Sequence, residues 1–237
     1  MGDLPAIGDL ALGTRRPRVV AAGGVAELDA LVAADGADLV ELRADLWDAP
    51  DPGALPGLLT RLRRGGRPVI LTARAAAEGG RRLDEGVRRA LYEAGLEHAD
   101  AIDVEIASTE IAAAVVPMAR AARRTVILST HVLDTTPPAA ALMALVDLAR
   151  TRGADLTKIV THTADVEDVR TLLEVTLAAR ARGIVTLATG PFGAARVFLP
   201  MAGSLLTYAH VGRPTAPSGQ LALDELVALL RRFYPDA

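Results

Sequence analysis

The chain has 237 residues, a formal net charge of −3, 51% hydrophobic and 23% charged residues, and only 3% aromatic residues. That length can bury one large core, while the absence of a broad basic face and the scarcity of stacking rings disfavour nucleic-acid binding. There is no cysteine, so disulfides and thiolate metal sites are excluded. No apolar run is long enough for a membrane span and no targeting pattern opens the sequence, so a soluble cytoplasmic protein is expected.

Short β-branched runs alternate with longer amphipathic ones along the whole chain. The pattern predicts strands over 18–22, 39–46, 69–74, 101–106, 125–131, 156–160, 183–190 and 205–210. Helices are predicted over 25–34, 58–64 and 81–98, in an Ala-rich stretch ending at Ala122, and over 137–152, 165–182 and 221–233. Eight βα units without a linker or a shift in composition fit a single-domain α/β chain over 1–237, a (β/α)8 TIM barrel, rather than a doubly wound open sheet. The polar residues favour the barrel. Glu41, Arg43, Arg74, Asp103, Glu105, His131, Lys158 and Thr161 fall in or just after apolar strands, and a barrel would gather them at one mouth.

Lys158 is the only lysine beside 25 arginines. An amine offers a lone pair that a guanidinium does not, and a buried amine flanked by Arg and His cations sheds its proton readily. Lys158 is therefore the candidate Schiff-base nucleophile, the alternative being a strand-end lysine that snorkels to solvent. His131 ends the strand before it and is the candidate acid/base, with His162 as competitor. Glu78, before a Gly pair, either orients a histidine or serves the helix that follows. Glu41, Arg43 and Asp45 alternate and so share one strand face. Arg74 ends the third strand. Arg196 follows the seventh, where barrels commonly bind anions, and Gln220 adds an amide after the eighth. No dinucleotide or nucleotide-phosphate pattern is present, so no cofactor is expected.

Taken together, these residues resemble type I 3-dehydroquinate dehydratases of the shikimate pathway over nearly the whole chain. The resemblance runs through Gly36-Ala-Asp-Leu-Val-Glu-Leu-Arg-Ala-Asp45, Thr72-Ala-Arg74, Glu78-Gly-Gly80, Ile102-Asp-Val-Glu105 and Ser129-Thr-His131. It continues through Gly153-Ala-Asp-Leu-Thr-Lys158, Arg196, Gly203-Ser204 and Ala216-Pro-Ser-Gly-Gln220. It implies a lyase of aromatic amino-acid biosynthesis that dehydrates the small molecule 3-dehydroquinate, needs no metal or cofactor, and is often a homodimer. In that family the lysine matching Lys158 forms the imine, the histidine matching His131 moves protons, and the glutamate matching Glu78 supports the histidine. The residues matching Glu41, Arg43, Arg74, Arg196 and Gln220 bind hydroxyls and carboxylate, and either Thr215 or Ser218 takes the family's serine role. The chain departs from the family pattern at Ala21, Val132 and Leu187, in a shorter loop before Arg196 and in one extra residue before Gln220. These departures are expected on the substrate side. The alternatives are another imine-forming, aldolase-like barrel and an impaired barrel that only binds a small hydroxy acid.

Overall fold

The computed structural model describes residues 5–13, 17–215 and 219–234, and it folds the predicted alternation into one eight-stranded parallel sheet. The strands are β1 (Arg18–Gly23), β2 (Leu39–Arg43), β3 (Val69–Thr72), β4 (Ala101–Glu105), β5 (Thr125–Val132), β6 (Leu156–His162), β7 (Ile184–Thr189) and β8 (Leu206–His210). Each pairs with the next from β1 to β7, and β8 returns to pair with β1. The result is a nearly closed (β/α)8 TIM barrel. Around it lie α1 (Leu28–Val32), α2 (Leu55–Arg63), α3 (Glu85–Gly95), α4 (Thr109–Ala121), α5 (Ala139–Thr151), α6 (Val166–Ala179), α7 (Leu199–Ala202) and α8 (Leu223–Phe233).

Strand alternation sorts the apolar residues into two cores. On β2, Val40 and Leu42 face the helix layer, whereas Leu39 joins the barrel interior with Val20, Ile70, Ala101, Ile127 and Leu156. A short hairpin, Ala6–Ile7 with Leu10–Ala11, closes the base by placing fully buried Ile7 against that inner core. The sequence pattern missed it, because two-residue strands carry no periodicity.

A repeated clip joins the strands at the base. Asp38 accepts the Val19 N–H of β1 at 2.8 Å, Asp100 the Val69 N–H of β3 at 2.9 Å, and Asp155 the Val126 N–H of β5 at 2.8 Å. At the β7–β8 seam, where no ladder forms, Ser204 Oγ accepts the Thr186 N–H at 3.0 Å and the Leu205 N–H donates to the Ile184 carbonyl.

Several predicted boundaries move. The second strand stops at Arg43, where the chain turns into a 3-10 turn (Ala44–Leu46). The helix expected from 81 starts at Glu85, because Asp84 caps it by accepting the Gly86 N–H. After β7 the chain forms 3-10 turns (Gly190–Val197) and the four-residue α7. Among the described residues, no helix is long and apolar enough to cross a membrane.

Candidate active site

The C-terminal ends of the strands surround a cavity. Nine of the residues singled out in the sequence line it: Glu41, Arg43, Arg74, Glu78, His131, Lys158, Arg196, Thr215 and Gln220. Ser218, the alternative to Thr215, lies outside the described residues. His162 is not in the lining.

Lys158 sits at the third position of β6 and is 3% exposed, so it does not snorkel. Its Nζ donates to Asp103 Oδ2 at 2.8 Å, stands 3.6 Å from Glu41 Oε1, and lies over the ring of Tyr208, 4.0 Å from the centroid. The expected flank of cations is therefore corrected: two carboxylates and a π face touch the amine. The cause is register, since β4 and β2 both carry inward-facing acids at this level of the barrel.

Asp103 is the hub of the floor. It also pairs with Arg74 at 3.0 Å and accepts a 2.6 Å bond from Ser129 Oγ. Burial opposes ionisation of Asp103, but Arg74, then Lys158 and His131, outweigh it and hold its carboxyl below the ordinary value. Arg74 is held further by Glu105 at 2.9 Å, and Glu105 in turn meets Arg88, which reaches in from α3. Glu41 accepts from Thr72 Oγ1 at 2.8 Å. Arg43 grips Asp45 with two bonds, at 2.8 and 2.7 Å, and donates to the Thr215 carbonyl at 2.9 Å. The shared face predicted for Glu41 and Arg43 holds through the strand, while Asp45 lies in the 3-10 turn beyond it. Thr215 is clasped to Gln220, whose Oε1 accepts the Thr215 N–H at 2.8 Å.

His131 lies two residues further up β5 than Ser129, the register partner of Lys158. One oxygen of Glu78 meets both the His131 backbone N–H at 2.8 Å and Nδ1 at 2.9 Å. Glu78 thus orients the imidazole and leaves the helix N-terminus to Asp84. Its loop needs glycine at position 80, where a Cβ would lie 2.1 Å from the Arg74 carbonyl oxygen. Burial pushes the His131 imidazole well below its ordinary value, helped by Arg74 and Lys158. Burial also pushes the Glu78 carboxyl up to about 7, against the pull of Arg74. Near neutrality the imidazole is therefore a neutral base, held in place by Glu78.

The raised Glu78 value has a sign that can be checked. The folded chain keeps a proton that the unfolded chain releases above its ordinary value of 4.5, so this stability is complete below pH 4.5 and is lost as pH rises through about 7. Relative to Glu78→Gln, the wild type should lose on the order of 1–3 kcal/mol across that window in urea titrations. A pH-independent difference would show that Glu78 ionises normally. His131 has the opposite slope below 6.5 and is common to both proteins.

Arg196 is 2% exposed, and among the described residues no carboxylate pairs with it. It donates to the carbonyls of Gly193 at 3.1 Å, Tyr208 at 3.2 Å and Ala188 at 2.6 Å, bridging β7 and β8 across the seam. Burial without a counter-charge lowers it to about 10. A buried cation in a cavity wall with unused N–H groups is a receptor for an anion.

Gly79, Tyr208, Leu133, Val160, Leu187 and Thr189 complete the lining. Of the three substituted family positions only Leu187 reaches the cavity. Ala21 belongs to the outer core and Val132 is not in the lining, so the expected clustering on the substrate side is corrected for both. Tyr208 was legible only as an apolar strand residue. Asp103 was placed at the mouth but given no role, although its inward phase in Ile102-Asp-Val-Glu105 marked it.

A nearly closed parallel barrel whose mouth holds a buried amine among acids and a carboxylate-held imidazole is the architecture of a (β/α)8 enzyme. The chain belongs to the type I 3-dehydroquinase family, whose model matches residues 22–236. A 3-dehydroquinate dehydratase of Methanosarcina acetivorans is 34% identical over 205 residues, covering 82% of this chain and 85% of that protein. The crystal structure of 3-dehydroquinate dehydratase from Geobacillus kaustophilus superposes with a TM-score of 0.88 at 29% identity, covering 98% of both chains. That of the type I enzyme from Clostridium difficile, with covalent modified comenic acid, gives 0.89 at 25% identity over all of both chains.

Proposed function

We propose that this protein dehydrates 3-dehydroquinate to 3-dehydroshikimate through an imine on Lys158, as the cytoplasmic lyase of a shikimate pathway. The observation that carries the reading is the placement of the sole lysine, buried in the cavity that also holds the His131–Glu78 pair and the uncompensated Arg196. The Lys158 ammonium gives up one proton and its amine adds to the C3 ketone; the resulting carbinolamine loses its hydroxyl as water with that proton, leaving a protonated imine. His131, neutral and oriented through Nδ1, takes the C2 proton; the electron pair of that C–H bond becomes the C2=C3 bond and the C=N π pair moves onto nitrogen, giving an enamine. The enamine expels the C1 hydroxyl, which leaves as water with the proton from His131. Water then adds to the conjugated imine and returns the amine and the enone. Arg196 holds the substrate carboxylate, while Glu41, Arg43, Arg74 and the Thr215–Gln220 clasp are placed to bind hydroxyls.

The test is the ultraviolet absorbance of the enone on mixing enzyme with 3-dehydroquinate; binding by calorimetry without any absorbance change would overturn the reading. Arg196→Ala should raise KM roughly 30- to 5,000-fold, the ~2–5 kcal/mol of a truncated buried charge pair. It should also lower the melting temperature, because three carbonyls lose their donor. A lower melting temperature with unchanged KM would restrict Arg196 to closing the seam.

A further inference from the structure

Among the described residues Tyr208 has a hydroxyl without a partner, in a site where Lys158, Glu41, Asp103 and Arg74 all have theirs. It projects from β8 into the inner core, is 3% exposed, and its Oη is buried without a hydrogen bond. Burial, then the charges of Glu41 and Asp103, push the phenol well above its ordinary value, so it remains a neutral O–H. What Tyr208 offers its surroundings is therefore the ring. Lys158 Nζ stands 4.0 Å from the ring centroid, within the range at which a π face attracts a cation.

The chemistry at Nζ gives that contact a purpose. An ammonium has three N–H donors, which suffice for Asp103 and Glu41 together. A protonated imine on the same nitrogen keeps one N–H, so it can hold only one carboxylate by a hydrogen bond. Asp103 is also shared with Arg74 and Ser129, and Glu41 with Thr72. A π face needs no N–H, so it can attract the imine cation as it attracts the ammonium. We propose that Tyr208 is a catalytic residue whose ring face carries the positive charge of the imine on Lys158 and so keeps that nitrogen an electron sink. The proposal rests on the imine reading given above.

The test replaces Tyr208 by phenylalanine, by leucine, and by phenylalanines carrying one, two and three ring fluorines, which drain the π face with little change in shape. The readouts are kcat as a function of pH and the fraction of chains carrying a substrate-derived mass after borohydride. Asp103 from β4 and Glu41 from β2 touch the nitrogen, Arg74 from β3 lies behind Asp103, and His131 from β5 feels its charge, all unaltered in the series, so differences within it report the ring. Tyr208→Phe keeps the π face and is the reference from which the fluorinated series is read. Fluorination should lower kcat stepwise to about thirtyfold at three fluorines, the scale of a desolvated cation–π contact. The alkaline limb of kcat should move to lower pH, as the imine surrenders its proton earlier. A flat fluorine series, or Tyr208→Phe as impaired as Tyr208→Leu, would overturn the proposal while leaving the imine intact. A wild type with no borohydride adduct would remove the imine reading and this proposal with it.

Discussion

Lys158→Arg should reduce turnover of 3-dehydroquinate below detection while leaving a folded protein. Arginine keeps the positive charge that Asp103 and Glu41 face, but it does not form an imine under these conditions. Removing the charge altogether, as in Lys158→Met, would break a buried ion pair, a loss of about 3–5 kcal/mol when one partner goes, and leave Asp103 with Arg74 and Ser129 and Glu41 with Thr72, so arginine is the better variant. Wild type treated with 3-dehydroquinate and borohydride should carry one adduct, on the peptide that contains Lys158. The only other amine in the chain is the N-terminus, so peptide mapping has almost no ambiguity. A folded, active Lys158→Arg, or an active wild type left unmodified by substrate and borohydride together, would end the imine reading.

His131→Ala should separate imine formation from elimination. General acid–base catalysis by a positioned imidazole contributes about 10²- to 10⁴-fold, and kcat should fall by that factor. The borohydride adduct should survive, because the bond to Lys158 does not involve the imidazole. Alanine also keeps the backbone N–H that donates to Glu78, so the loop should stay in place. Elimination close to the wild-type rate would transfer the proton to another group. His162, the alternative from sequence, lies outside the cavity lining and would then have to reach into it.

What the sequence disclosed and what it hid divide along one physical line. Features that depend on neighbours in the chain were legible: the inward phase of Glu41 and Arg43, the oddity of a single lysine, the glycine pair that folds Glu78 back. Features that depend on strand register were not. Lys158 meets Asp103 55 residues away, and only pairing through β4, β5 and β6 brings them level. The same holds for Tyr208, which approaches the amine from β8, and for Arg88, which reaches Glu105 from the helix layer. Arg196 was read as an anion receptor, but its grip on the Ala188 and Tyr208 carbonyls follows from a missing ladder that no local pattern announces.

The clips at the barrel base make the ring, in mechanical terms, a ribbon of eight strands fastened with one buckle. Three of the four odd–even joints are held by a carboxylate as well as a ladder. The fourth, between β7 and β8, relies on the Ser204 hydroxyl, the Leu205 amide bond and the three carbonyls gripped by Arg196. Unfolding then has a preferred point of entry, and amides along β7 and β8 are the ones that hydrogen exchange should find least protected. Because the buckle is also a wall of the cavity, an anion seated on Arg196 sits at the place where the barrel parts most readily.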